Sequence, residues 1–172
     1  MNISKEKART LRERARALAR GAAGSEGDQE YVEVVEFMLA HERYALELTH
    51  IREVYPLKDL TPLPGTPDFV LGIINIRGQI LSIIDIKRFF DLPEKGLTNL
   101  NQVIILQSEE MEFGILADEI LGTKSIPAST IQDSLPTLTG IRAEYLKGVT
   151  GDRVVILDGK KIVSDEKMVV KA

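Results

Sequence analysis

The sequence predicts a mainly β protein built from two similar small β-units packed about a pseudo-twofold axis. Three features carry that prediction. Apolar residues recur with a period of two in short runs, which marks strands rather than helices. Pro56, Pro62, Pro64, Gly65 and Pro67 crowd one stretch and exclude long helices there. The order of features in the first half of the chain recurs in the second half.

Residues 1–30 stand apart from this plan as a basic helix and a Gly-rich linker. Ser4 suits an N-cap, Ala8, Leu11, Ala15 and Leu18 form a thin apolar stripe, and Gly21 is placed to end the helix. So little apolar area suits either a solvated extension or a basic surface that docks on a partner or on anionic lipid. Gly-Ala-Ala-Gly-Ser-Glu-Gly at 21–27 precedes no phosphate-binding helix and reads as a flexible linker.

The domain proper is expected over 31–172. Val32, Val34, Val35, Phe37 and Leu39 mark a strand. Ala40-His41-Glu42-Arg43 marks a turn, and Tyr44, Leu46 and Leu48 a second strand. Val70–Ile76 and Ile80–Ile86 flank Arg77-Gly78-Gln79 and predict a hairpin in which Gly78 takes a positive φ. Both of its strands are apolar at nearly every position, so they sit centrally or hold one face for a partner. Lys87–Phe90 reads as a short helical turn. Val103, Ile104 and Leu106, then Phe113, Ile115 and Ala117, predict a further pair of strands.

An offset of 69 places Val35 on Ile104, Phe37 on Leu106, Tyr44 on Phe113, Leu46 on Ile115 and Ile51 on Ile120. An offset of 76 places Gly72 on Gly148 and Ile73 on Val149. A hairpin three residues shorter then aligns Asp85 with Asp158 and Lys87 with Lys160. A repeat this long is no solenoid period. Many short strands with close turns argue for small barrels or a sandwich, and barrel closure would hide strand edges that otherwise invite aggregation.

Composition narrows the function. The 172 residues contain no Cys and no Trp, which excludes disulfides, Cys-ligated metal and a thiol nucleophile. Seven basic and two acidic side chains give residues 1–20 a net +5. The remaining fifteen basic and twenty-four acidic ones give the rest −9, which disfavours nucleic-acid binding by the body. No apolar run reaches the roughly 20 residues of a membrane span, and the N-terminus lacks a signal-peptide core, so a cytoplasmic location without direct membrane insertion is expected. His41 and His50 read as exposed, with no metal-ligand spacing. No nucleophile elbow or phosphate loop is present, and no cofactor or metal is expected. Asp118-Glu119 reads as a solvated polar corner. Arg77 is either solvated at its hairpin tip or paired with a carboxylate such as Glu53.

Several segments together resemble CheW-like domains. Gly72-Ile73-Ile74-Asn75-Ile76-Arg77-Gly78, followed by Ser82 and Asp85, is similar to the family's G-x-x-N-x-R-G…P-x-x-D core, with Ser82 in the place of Pro. Tyr44-Ala45-Leu46 with Ile51-Arg52-Glu53-Val54, the Pro64–Pro67 turn, Gly114 to Ile120 (Ala117 replacing Val) and Tyr145 to Asp158 match further family segments. The resemblance spans about 31–165. It implies two five-stranded barrels sharing a core, the first over about 31–95 and the second over about 98–165. It also implies a non-enzymatic adaptor joining chemoreceptor signalling tips to the regulatory domain of a CheA-type histidine kinase, and through them to membrane receptor arrays. The groove between barrels would take the receptor hairpin and one barrel end the kinase. Ile51, Glu53, Gly72 and Arg77 match partner-contact positions, with Glu53 and Arg77 expected to pair. A scaffold for a kinase pathway outside chemotaxis, such as pilus motility, is the alternative.

Overall fold

The computed structural model describes residues 30–93, 97, 100–133 and 144–165. The expected N-terminal helix and linker at 1–29 lie outside them. In the first half, β1 (Tyr31–Leu39) and β2 (Glu42–Glu47) form a hairpin, and one 3-10 turn leads into β3 (Ile51–Pro56). A second hairpin of β4 (Val70–Ile76) and β5 (Gln79–Ile84) precedes α1 (Ile86–Phe89). The second half contains β6 (Gln102–Gln107), β7 (Glu112–Ala117), β8 (Glu119–Pro127), β9 (Leu146–Val149), β10 (Val155–Leu157) and α2 (Gly159–Ser164).

The internal repeat is visible in the registers. Val35 faces Leu46 and Phe37 faces Tyr44 across β1–β2. Their sequence matches do the same across β6–β7, where Ile104 faces Ile115 and Leu106 faces Phe113. Asp85 and Asp158 each cap the following helix, accepting a backbone N–H from Lys87 and from Lys161 respectively. Their own N–H groups donate to the carbonyls of Phe69 and Tyr145, both at 2.7 Å.

The strands form two five-stranded sheets, ordered β8-β1-β2-β10-β9 and β3-β6-β7-β5-β4. Neither sheet belongs to one half of the chain, which corrects the expected division into a unit at 31–95 and another at 98–165. The reason lies in edge occupancy. Parallel β10 takes the second edge of β2, so β3 has no edge left in its own sheet and pairs with β6 instead. Parallel β5 takes the second edge of β7, and β8 crosses to β1. The halves therefore exchange strands.

Each sheet curls towards closure. In the first, β9 bridges to Gln132 just beyond β8; in the second, β4 bridges to Thr61 beyond β3. Each seam is a single bridge of two hydrogen bonds, at 2.8 and 2.9 Å, rather than the continuous ladder of a fully closed barrel.

Strands apolar on both faces find cover on both. Along β6, Val103 and Ile105 point into the second sheet's interior with Ile74, Ile76, Leu81 and Ile83. Ile104 and Leu106 point into a central core between the sheets, with Phe37, Tyr44, Phe113 and Tyr145. A third cluster of Val34, Ala45, Ile126, Val154 and Ile156 fills the first sheet. The period-two alternation thus sorts one strand's side chains between two cores.

Tyr145 is buried in the central core beside Phe89 and Phe90, and its hydroxyl donates to Asp165 Oδ2. Burial, reinforced by that carboxylate, pushes the phenol well above its ordinary range. A raised folded-state pKa contributes stability that is fully present below the unfolded value of about 10 and is lost as pH rises above it. Wild-type stability should therefore fall more steeply above about pH 10 than that of Tyr145→Phe. Urea titrations of both proteins from pH 8 to 11 check this, and parallel curves would refute it.

Candidate functional site

One end of the second sheet gathers a polar cluster from four strands. The β4–β5 hairpin turns on two residues, Arg77 and Gly78, with φ of 53° and 85°, and Ile76 faces Gln79 across it. Two successive positive φ values are the mark of a type I′ turn. Asn75 Oδ1 accepts the Gly78 N–H at 2.8 Å and braces it. The first central position of such a turn favours Asn, Asp or Gly, and a left-handed Arg costs roughly 1 kcal/mol. Holding Arg77 there aims its side chain at the opposite edge of the sheet.

That edge is β3, which bulges between Ile51 and Glu53 and so re-aims both Arg52 and Glu53. Glu53 Oε2 accepts from Arg77 Nη2 at 3.1 Å. The expected pair is therefore formed, and it spans the seam between the two edge strands. Arg77 is 69% exposed and Glu53 23%. Glu53 Oε1 is buried without a hydrogen-bond partner, so the guanidinium grips only one of the two oxygens.

Beside the pair, Arg52 donates to Gln79 Oε1 at 2.8 Å and to Glu112 Oε1, while Gln79 Nε2 donates to Glu112 Oε2 at 2.7 Å. The hydrogen bond from Glu112 raises the Arg52 guanidinium above its usual value. This triangle ties the starts of β5 and β7 to the bulge of β3. Ile80 lies next to it, 63% exposed, directly across from exposed Asn75.

Of the four positions matched by resemblance, Glu53 and Arg77 come together. Ile51 is half-buried on the same strand and packs on the central core. Gly72 is buried and sits five residues down β4 from the hairpin tip, at the seam. Sequence reasoning missed Arg52, Gln79, Glu112 and Ile80 as members of this cluster. The unusually apolar hairpin was the one available signal, and it bore only on Ile80. The solvated corner read at Asp118-Glu119 is corrected in part. Glu119 is exposed, whereas the Asp118 carboxylate is 11% exposed and paired with buried Lys87.

The repeat supplies a control. The offset of 69 that aligns the halves places Leu121, Gly122 and Arg43 where the second sheet carries Arg52, Glu53 and Glu112. Leu121 is 45% exposed, and Arg43 pairs with Glu36 at 3.4 Å. The ordered charge cluster thus belongs to one end of the molecule only. Among the described residues no group of His, Asp and Glu could hold a metal ion. Fixed charges beside an exposed isoleucine make a surface suited to docking a protein.

Known proteins share this arrangement. The family described as CheW-like domain matches residues 33–167. The chain is 30% identical to the chemotaxis protein CheW of Treponema pallidum, over 82% of this chain and 87% of that one. It is 27% identical to the protein PilI of Pseudomonas aeruginosa, over 74% of each. Among solved structures, the scaffolding protein TtCheW of Thermoanaerobacter tengcongensis superposes with a TM-score of 0.67 at 29% identity, covering 77% of this chain and 87% of that one. With its strand-exchanged sheets, its seam pair and a family match that spans most of its length, the chain belongs to the CheW-like domain family.

Proposed function

We propose that this protein is a non-enzymatic cytoplasmic adaptor that couples chemoreceptor signalling tips to a CheA-type histidine kinase, with the Arg77–Glu53 end as a docking surface. The observation that carries the reading is the Arg77–Glu53 pair itself. A left-handed arginine stretched across a seam to a half-buried carboxylate is costly for stability alone, which favours a role in recognition. Ile51 and Gly72 support that surface from beneath, the first by packing and the second by letting the seam close. No helix among the described residues is long and apolar enough to cross a membrane, and the membrane is reached through partners.

The test is a reconstitution with a CheA-type kinase and a receptor signalling fragment, followed by co-sedimentation and kinase autophosphorylation. Receptor control of the kinase should require this protein. Arg77→Ala should weaken partner binding by about 10- to 100-fold, as loss of an interface arginine does. It should barely shift the unfolding midpoint, because an exposed ion pair is worth under about 1 kcal/mol. Arg77→Ala and Glu53→Ala should be non-additive in binding. Unchanged kinase control without the protein would remove the coupling assignment. Similarity to PilI supports a second reading, a scaffold for a kinase pathway outside chemotaxis. Binding to that kinase in preference to the chemotaxis kinase would favour it.

A further inference from the structure

We infer that each half of this chain carries a complete docking surface for the other half, and that this surface accepts the matching half of a second copy to give a half-exchanged dimer. The inference rests on what joins the halves. Strand pairings β1–β8, β2–β10, β3–β6 and β5–β7 all run from one half to the other. The central core is shared, with Phe37, Tyr44 and Ile84 from one half against Phe113, Tyr145 and Leu157 from the other. The buried Lys87–Asp118 pair also crosses between halves, as does the Ala40 N–H bond to Asp118 Oδ2 at 2.7 Å.

A half on its own would leave these strand edges and core side chains bare, as the subunit of an obligate dimer does. Within one molecule a single covalent crossover, between α1 and β6, holds the halves together. Every noncovalent contact is the same whether the second half comes from the same chain or from another, so only the crossover distinguishes monomer from exchanged dimer. The balance is then set by effective concentration. A short tether supplies roughly 1 mM of the internal half. At about 10 μM the monomer prevails about a hundredfold, and near 1 mM the two forms become comparable. Exchange needs the halves to separate, so it is trapped during folding.

The chain lacks Cys, which permits a direct test. Glu33 on β1 faces Ser125 on β8, within reach of a disulfide. Full-length Glu33→Cys and Ser125→Cys proteins are unfolded together, refolded at about 1 mM under reducing conditions, then diluted and oxidised. Neither variant can close this disulfide alone, so a covalent dimer well above that of the same variants mixed without unfolding is the expected result. Yields equal to that control would overturn the inference. Wild-type protein refolded over the same concentrations, diluted to about 1 μM and weighed by light scattering, serves if either variant misfolds. Dimers that survive dilution support exchange. Monomer at every concentration, or dimers that fall apart on dilution, would overturn it.

Discussion

Gly72→Ala is expected to destabilise the fold by about 3–5 kcal/mol, because the new methyl meets backbone at a closed seam. A Cβ at this position would lie 2.2 Å from the Thr61 carbonyl oxygen and 2.9 Å from the Pro62 Cα. Neither is the tip of a flexible side chain that could swing away. Thr61 is also tied to Ile73, the next residue, by the two hydrogen bonds that close the second sheet. Relieving the clash therefore means breaking the seam. Gly72 adds a φ of 151°, a conformation that side chains strain to adopt. The repeat supplies a graded comparison at Gly148. A Cβ there would lie 2.4 Å from Ile131 Cγ2 and 2.5 Å from the Gln132 carbonyl, again at a seam. One of those neighbours is a side chain and Gly148 carries no positive φ, so Gly148→Ala should cost less, about 1–3 kcal/mol. Denaturant titration of both variants checks the size and the order. A loss below about 1 kcal/mol for Gly72→Ala would show that the seam opens freely. Opening the seam would also move β4 relative to β3, so any partner binding lost in Gly72→Ala would come from the displaced Arg77–Glu53 pair rather than from contact with the glycine.

Breaking the Lys87–Asp118 pair should have an effect of similar size. Lys87 is 2% exposed along its side chain and Asp118 11%. Asp118 Oδ1 accepts from the ammonium and Oδ2 from the Ala40 N–H, while the Asp118 N–H donates to the Met38 carbonyl at 3.0 Å. One aspartate thus secures the β1–β2 turn, where Ala40 sits at a φ of 55°, the β7–β8 corner and α1. Asp118→Ala leaves a buried ammonium without its counter-charge and releases the turn, and should cost about 3–5 kcal/mol. Lys87→Met removes the charge but keeps the volume, stranding the carboxylate instead. The double variant Lys87→Met with Asp118→Ala should be more stable than the sum of the single losses predicts, because no unpaired charge remains. Urea titration of the four proteins closes the cycle. Simple additivity would show that the two groups do not depend on one another. Both variants should also weaken the bond between halves and speed strand exchange.

Much of this molecule was legible before any coordinates. Strand identity followed from alternation, the Arg77-Gly78 turn from its glycine, and the matched registers from an offset that placed Val35 on Ile104 and Tyr44 on Phe113. Each of these depends on residues close together in the chain, where side-chain period and turn chemistry act directly. The edge strands were harder. β8 carries a bulge at Leu121 and exposed polar residues, which erase the alternation that marks a strand. The seam pair could be proposed from charge but not placed, since Glu53 and Arg77 lie on opposite edges of one sheet.

What only the tertiary structure decided is which partner each equivalent group receives. Lys87 and Lys160 hold the same place in the repeat, yet Lys87 is buried and Lys160 exposed. The difference is what stands opposite. Asp118 faces Lys87, and the residue at the matching position in the other half is Thr49, which carries no charge to repay burial of an ammonium. Strand exchange follows the same logic. Each half encodes its own hairpins, but the edge on which β3 or β8 finally pairs depends on which edges β10 and β5 have already filled. Local sequence determines what a segment can form; the occupancy of its neighbours in space determines where it goes.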